Sequence, residues 1–107
     1  MRVIDYEQFR EFKRHNSATI INVLPAQLFE KTRIPGSINI AHQSDSFVKE
    51  VEYVIGSKKM PVIVYCSYKS CDASKKAAVK LDEAGFADVM CYEGGAREWN
   101  ERVPRAA

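Results

Sequence analysis

Cysteine is scarce and odd in number: Cys66, Cys71 and Cys91 are the three in a chain of 107 residues. That excludes a disulfide scaffold, which needs an even and denser set. Long hydrophobic runs are missing as well. The longest uncharged apolar stretch, Pro61 to Cys66, is far short of the roughly 20 residues a membrane span requires. Met1 to Gln8 has neither an apolar segment nor a small-residue cleavage site, so no signal peptide is read there. A cytoplasmic location is the expectation, although a chain trimmed of its leader reads the same. No excess of one charge exists: sixteen Lys and Arg against fourteen Asp and Glu leave +2, scattered along the chain. Neither nucleic acid nor a membrane is therefore an expected partner. What is present, 46% hydrophobic and 28% charged residues without repeats, suits one folded domain over 1–107.

The order of the patterns points to alternating helices and strands. Asp5 to Gln8 has the form of a capping box, and Tyr6, Phe9 and Phe12 follow at helical spacing until Asn16-Ser17. Thr19 to Leu24 is β-branched and apolar, as a strand buried on both faces would be. Pro25 opens a short helix over Ala26 to Lys31, Ile34 to Gly36 make a turn, and Ser37 to Ile40 alternate as a strand. Phe47, Val48, Val51, Val54 and Ile55 mark a second amphipathic face closed by Gly56. Pro61 to Cys66 is the clearest strand. Ala73, Ala77, Ala78, Leu81 and Ala84 then form a helical stripe ended by Gly85. A strand over Asp88 to Tyr92 and a helix over Ala96 to Arg102 complete the chain, with Trp99 as a core anchor. Such alternation predicts a parallel α/β sheet covered on both faces, with ligands beyond the carboxyl ends of its strands.

Cys66 stands at such an end. The segment from Cys66 to Ser74 joins a buried strand to a helix N-terminus, where backbone N–H groups and about half a unit of positive charge favour an anion. A thiol there is expected to have a lowered pKa, reinforced by Lys69, and the same cradle suits an anionic substrate. Thiolate and anion cradle together make a nucleophile. Cys91, inside a strand, reads as core; Cys71 falls between the two. His15 and His42 read as solvated residues, Asp72 as the cap of the following helix, and the spacing of Cys and His gives no metal site. No cofactor is expected.

These residues carry a resemblance. Ile20 to Val23, Arg33 to Ile40, Pro61 to Cys66, Leu81 to Phe86, and Tyr92 to Gly95 with Trp99 are similar, in order and spacing, to the segments of single-domain rhodaneses. The resemblance implies a rhodanese-like fold, a central mostly parallel five-stranded sheet with helices on both faces. It also implies sulfur transfer. Cys66 would take sulfane sulfur from thiosulfate or a similar small anionic donor as a persulfide, then pass it to a thiol, cyanide or a protein thiol. Ser67, Tyr68, Lys69, Ser70 and Cys71 would form the loop around that persulfide.

Four positions depart from the family pattern. Lys69 stands where a glycine is common in the loop, Cys71 where an arginine is common, Asn22 where an acidic residue is common, and Arg33 where a histidine is common. Lys69 and Arg33 are candidates for anion recognition in place of the lost arginine. Asp72 opposes a phosphatase reading, because it stands where related phosphate-cleaving loops have arginine and would repel a phosphate dianion. Cys71 is also a candidate resolving thiol, able to attack the persulfide and leave a Cys66–Cys71 disulfide. Two alternatives stay open: a thiol–disulfide redox protein using Cys66 and Cys71, and a non-catalytic binding module on the same fold.

Overall fold

In the computed structural model, which describes residues 1–103, helices and strands alternate from end to end. The elements are β1 (Arg2–Ile4), α1 (Tyr6–His15), β2 (Thr19–Asn22), α2 (Ala26–Thr32) and β3 (Ile38–Asn39), then α3 (Phe47–Ile55), β4 (Val62–Tyr65), α4 (Ala73–Glu83), β5 (Val89–Tyr92) and α5 (Gly95–Arg102). The strands form one sheet in the order β1-β5-β4-β2-β3, and every pairing is parallel. Residues 104–107 of the expected domain lie outside those described.

Strand alternation splits the core in two. Ile21, Val62, Val64, Cys66, Val89 and Cys91 face α3 and α4, packing against Phe47, Val51, Ala77, Ala78 and Leu81. Ile20, Ile63, Tyr65, Met90 and Tyr92 face α1 and α5, packing against Tyr6, Phe9 and Trp99. Because β4 and β5 are buried on both faces, they read as continuous apolar runs. Trp99 lies edge-on to Phe9 at 5.5 Å between ring centres, the anchoring role expected of it. Asp5 makes the capping box, accepting from the Gln8 N–H while the Gln8 side chain accepts from the Asp5 N–H.

The strands carry fewer residues than their apolar runs, and one of them is silent in the sequence. β1 has three residues, of which Ile4 alone is buried, so no alternation marks it. It pairs with β5, Val3 opposite Cys91, and completes the fifth place in the sheet. Among the described residues no helix is long and apolar enough to cross a membrane.

Candidate active site

Cys66 follows the last residue of β4 and is 1% exposed. The central position of β4, between β5 and β2, puts it at the carboxyl edge of the sheet, where chain leaves the strands for α4. Two backbone bonds hold the first residues of the loop. The Ala96 N–H donates to the Cys66 carbonyl at 2.9 Å, and the Arg97 N–H to the Ser67 carbonyl at 2.8 Å. These donors belong to the first turn of α5, whose N–H groups have no partner within the helix. The approach requires Gly95. It adopts φ +66°, and a Cβ there would stand 2.5 Å from the Cys66 carbonyl oxygen.

The rest of the loop curls back on itself. The Cys71 N–H donates to the Tyr68 carbonyl at 3.0 Å, and the Cys66 thiol lies 3.4 Å from the Cys71 carbonyl oxygen. Cys71 is half-buried and packs against the core cluster that contains Cys66. Tyr68, Lys69 and Ser70 are exposed and line a cavity of about 230 Å³ with Gly94, Arg97, Glu98, Glu101 and Arg102. Arg97, which sequence reasoning passed over, holds its guanidinium 5.7 Å from the centre of the Tyr68 ring. A larger cavity of about 450 Å³ is lined by Thr19 and Pro61, next to the amino ends of β2 and β4, and belongs to the opposite edge of the sheet.

Ser74 is the second residue that sequence reasoning missed. It is 1% exposed, in the first turn of α4, and its hydroxyl oxygen lies 3.4 Å from the Cys66 sulfur and 3.3 Å from the Cys91 sulfur. Its spacing from Cys66 carries no known signal; a small polar residue inside the Ala73-Ala77-Ala78 stripe was the available clue. Cys91 is in the core as expected, yet its thiol is committed to this polar contact.

The expected low thiol pKa is corrected by this arrangement. Burial pushes the Cys66 thiol up to about 11, and the neighbouring Cys71 side chain pushes the same way. The Ser74 hydroxyl and backbone N–H favour the thiolate but are outweighed. The cradle N–H that reaches the sulfur is thus that of Ser74 in α4, while the Cys71 N–H is occupied by Tyr68. Desolvation exceeds what the Ser74 hydrogen bonds return.

Arg33 ends α2, with its guanidinium 3.7 Å from Glu30 and 5.6 Å from the Phe29 ring centre. Asp72 takes the N-cap position of α4, but its carboxylate turns to Lys76 at 3.4 Å instead of capping. His42 is half-buried rather than solvated; burial first, and then Lys80 and Lys76, lower its pKa and keep it neutral. Asn22 is fully buried and entirely occupied. Its amide donates to the Thr32 carbonyl and hydroxyl and to the Tyr65 hydroxyl, while its oxygen accepts from the Leu24 N–H. The Tyr65 hydroxyl also accepts from the Ile34 N–H at 2.9 Å, fastening the Ile34 turn to the end of β4.

Comparison with known proteins agrees with this geometry. The family model described as rhodanese-like domain matches residues 5–102. A thiosulfate sulfurtransferase, GlpE, from Pseudomonas syringae pv. syringae is 29% identical over 93 residues, covering 86% of this chain and 81% of its own length. Among solved structures, the BH2092 protein of Bacillus halodurans superposes with a TM-score of 0.78 at 22% identity, over 94% of this chain and 72% of that one. A human single-domain sulfurtransferase, TSTD1, superposes with a TM-score of 0.76 at 16% identity, over 95% and 97%. At those identities the two structures speak for the fold alone. With its fold, the order of its segments and the family match over nearly its whole described length, the chain belongs to the rhodanese-like domain family.

Proposed function

We propose that this protein is a sulfurtransferase that carries sulfane sulfur on Cys66. One observation carries the reading: Cys66 directly follows the central strand, with its sulfur against the first turn of α4, where Ser74 offers a hydroxyl and a backbone N–H. The name of the Pseudomonas relative supports thiosulfate as donor. In the first half-reaction the Cys66 thiolate attacks the outer sulfur of thiosulfate. The S–S bond of the donor breaks, sulfite leaves with its electron pair, and a Cys66 persulfide remains. In the second, the outer sulfur passes to a thiol or to cyanide, and the Cys66 thiolate returns. Ser67 to Cys71 surround the sulfur, and Lys69 attracts the donor. Helix N-terminal donors stabilise negative charge on each sulfur as it develops.

The closed, protonated thiol means that deprotonation accompanies catalysis, so sulfur loading gains from rising pH. A single-turnover mixture of protein and thiosulfate is expected to release one sulfite per chain as the outer sulfur is transferred to Cys66. The Cys66→Ala protein, still folded by circular dichroism, is expected to release none. Sulfite release retained in that variant would remove Cys66 from the mechanism. The burial and raised pKa of Cys66 favour a second reading, a non-catalytic binding module. An intact wild-type protein that releases no sulfite from thiosulfate selects it.

A further inference from the structure

The active-site loop holds two thiols, and sulfur transfer through a Cys66 persulfide uses one. Cys71 sits at the far end of the turn that the Cys71 N–H to Tyr68 carbonyl bond closes. That turn returns the chain to its start: the Cys66 thiol lies 3.4 Å from the Cys71 carbonyl oxygen, and Cys71 packs against the same core cluster as Cys66. Cys66 is buried and Cys71 half-exposed, so the second thiol stands on the solvent side of the first. Cys91 is excluded from this role. It is fully buried, and the Ser74 hydroxyl touches both its sulfur and that of Cys66.

We propose that Cys71 is a resolving thiol that converts the Cys66 persulfide into free sulfide and a Cys66–Cys71 disulfide. The inference rests on the persulfide reading above and adds to it the fate of the sulfur. The Cys71 thiolate attacks the inner sulfur, Cys66 Sγ. A bond forms between the two cysteine sulfurs, the bond between Cys66 Sγ and the outer sulfur breaks, and the outer sulfur leaves as hydrosulfide. The proton lost by Cys71 completes hydrogen sulfide. Both cysteine sulfurs are thereby oxidised and the sulfane sulfur is reduced. An external dithiol then reduces the disulfide by thiol exchange and restores two free thiols. Summed over the cycle, thiosulfate and two thiol groups give sulfite, hydrogen sulfide and one disulfide. The acceptor of the sulfur is then the proton and electron pair supplied by thiols, with no separate protein or cyanide acceptor.

The sequence makes the test readable. Lys69 lies between Cys66 and Cys71, and Lys75 between Cys71 and Cys91, so trypsin places the three cysteines in three peptides. Reduced protein, freed of small thiols and treated with excess thiosulfate, is followed by sulfite and sulfide assays, by intact mass, and by non-reducing peptide mapping after alkylation. The expected result is one sulfide for each sulfite, loss of two hydrogens from the intact chain, and the Cys66 peptide joined to the Cys71 peptide. In Cys71→Ser the outer sulfur is expected to stay on Cys66, with sulfide release lost. Wild-type protein that releases sulfite and retains the added sulfur without sulfide overturns the resolving role and leaves the persulfide reading standing. Sulfide released equally by Cys71→Ser in the absence of thiols also overturns it. Wild-type protein that releases no sulfite fails the persulfide reading itself, and the resolving step falls with it.

Discussion

The Ser74 hydroxyl lies 3.4 Å from the Cys66 sulfur, with no solvent beside either group. While Cys66 is protonated, its S–H is directed at the Ser74 oxygen or the Cys71 carbonyl. Once the proton leaves, the hydroxyl hydrogen can turn to the sulfur, and the Cys91 S–H still serves the Ser74 oxygen. Each donor polarises the next in such a chain. Ser74→Ala is therefore expected to lift the Cys66 pKa further and slow alkylation at pH 8 by about tenfold, the worth of a hydrogen bond to a charged group. A rate and pH profile matching wild type would reduce Ser74 to packing.

The pH dependence has a definite sign. With the thiol pushed up to about 11, the thiolate fraction of Cys66 rises about tenfold per pH unit across the neutral range. Iodoacetamide labelling of Cys66, read by peptide mapping, is expected to climb without a plateau from pH 7 to pH 9. A plateau below pH 9 contradicts a closed, protonated resting thiol. Stability carries the same linkage: a folded pKa above the unfolded value of 9.0 stabilises below pH 9 and is lost as pH rises through about 11. Cys66→Ala is expected to flatten that alkaline decline in urea unfolding.

Gly95 couples α5 to the loop at a place where no side chain fits. Gly95→Ala adds a Cβ at 2.5 Å from the Cys66 carbonyl and a φ of +66° that L-residues resist. A loss of about 2 kcal/mol in chemical unfolding is expected, together with slower sulfite release, because Cys66 must shift to clear the methyl group. Wild-type kinetics in a stable Gly95→Ala protein would show that the clamp does not set the position of the sulfur.

Lys69 is exposed and lines two cavities beside the loop. An exposed cation that attracts an anionic donor contributes up to about 1 kcal/mol, so Lys69→Ala is expected to raise the KM for thiosulfate about threefold to fivefold. The ionic-strength dependence of kcat/KM should weaken in the same variant. An unchanged salt dependence would leave the steering to Arg97.

Legibility in the sequence followed the range of the interactions. Buried strands such as β4 and amphipathic helices such as α1 announce themselves by local pattern, since burial on one or both faces is a constraint on consecutive residues. β1 did not, because one buried residue in three makes no pattern. Cys66 was legible from its place between an apolar run and a polar loop. Ser74 and Gly95 were not, because their roles come from contacts across elements: a hydroxyl between two strands' sulfurs, and a helix end against a strand's carbonyl. The direction of the Cys66 pKa shift was missed for a related reason. A helix N-terminus can be read from a pattern, but the depth of the thiol beneath its loop depends on how the whole chain closes.

The clamp from Ala96 and Arg97 onto Cys66 and Ser67 also sets an order of completion during synthesis. β4 and Cys66 emerge about thirty residues before α5, yet the carbonyls on either side of the loop's first peptide have no partner until the final helix docks. A nascent chain halted before Gly95 holds the residues of all five strands and all three thiols. It lacks both the pin on the loop and the Ala96 and Trp99 side chains that complete the core on the α1 face, so sulfur chemistry is expected to switch on with α5 rather than with β5. Ribosome-stalled chains ending before and after α5, each extended by a spacer that clears the exit tunnel and compared for sulfite release, would register that step.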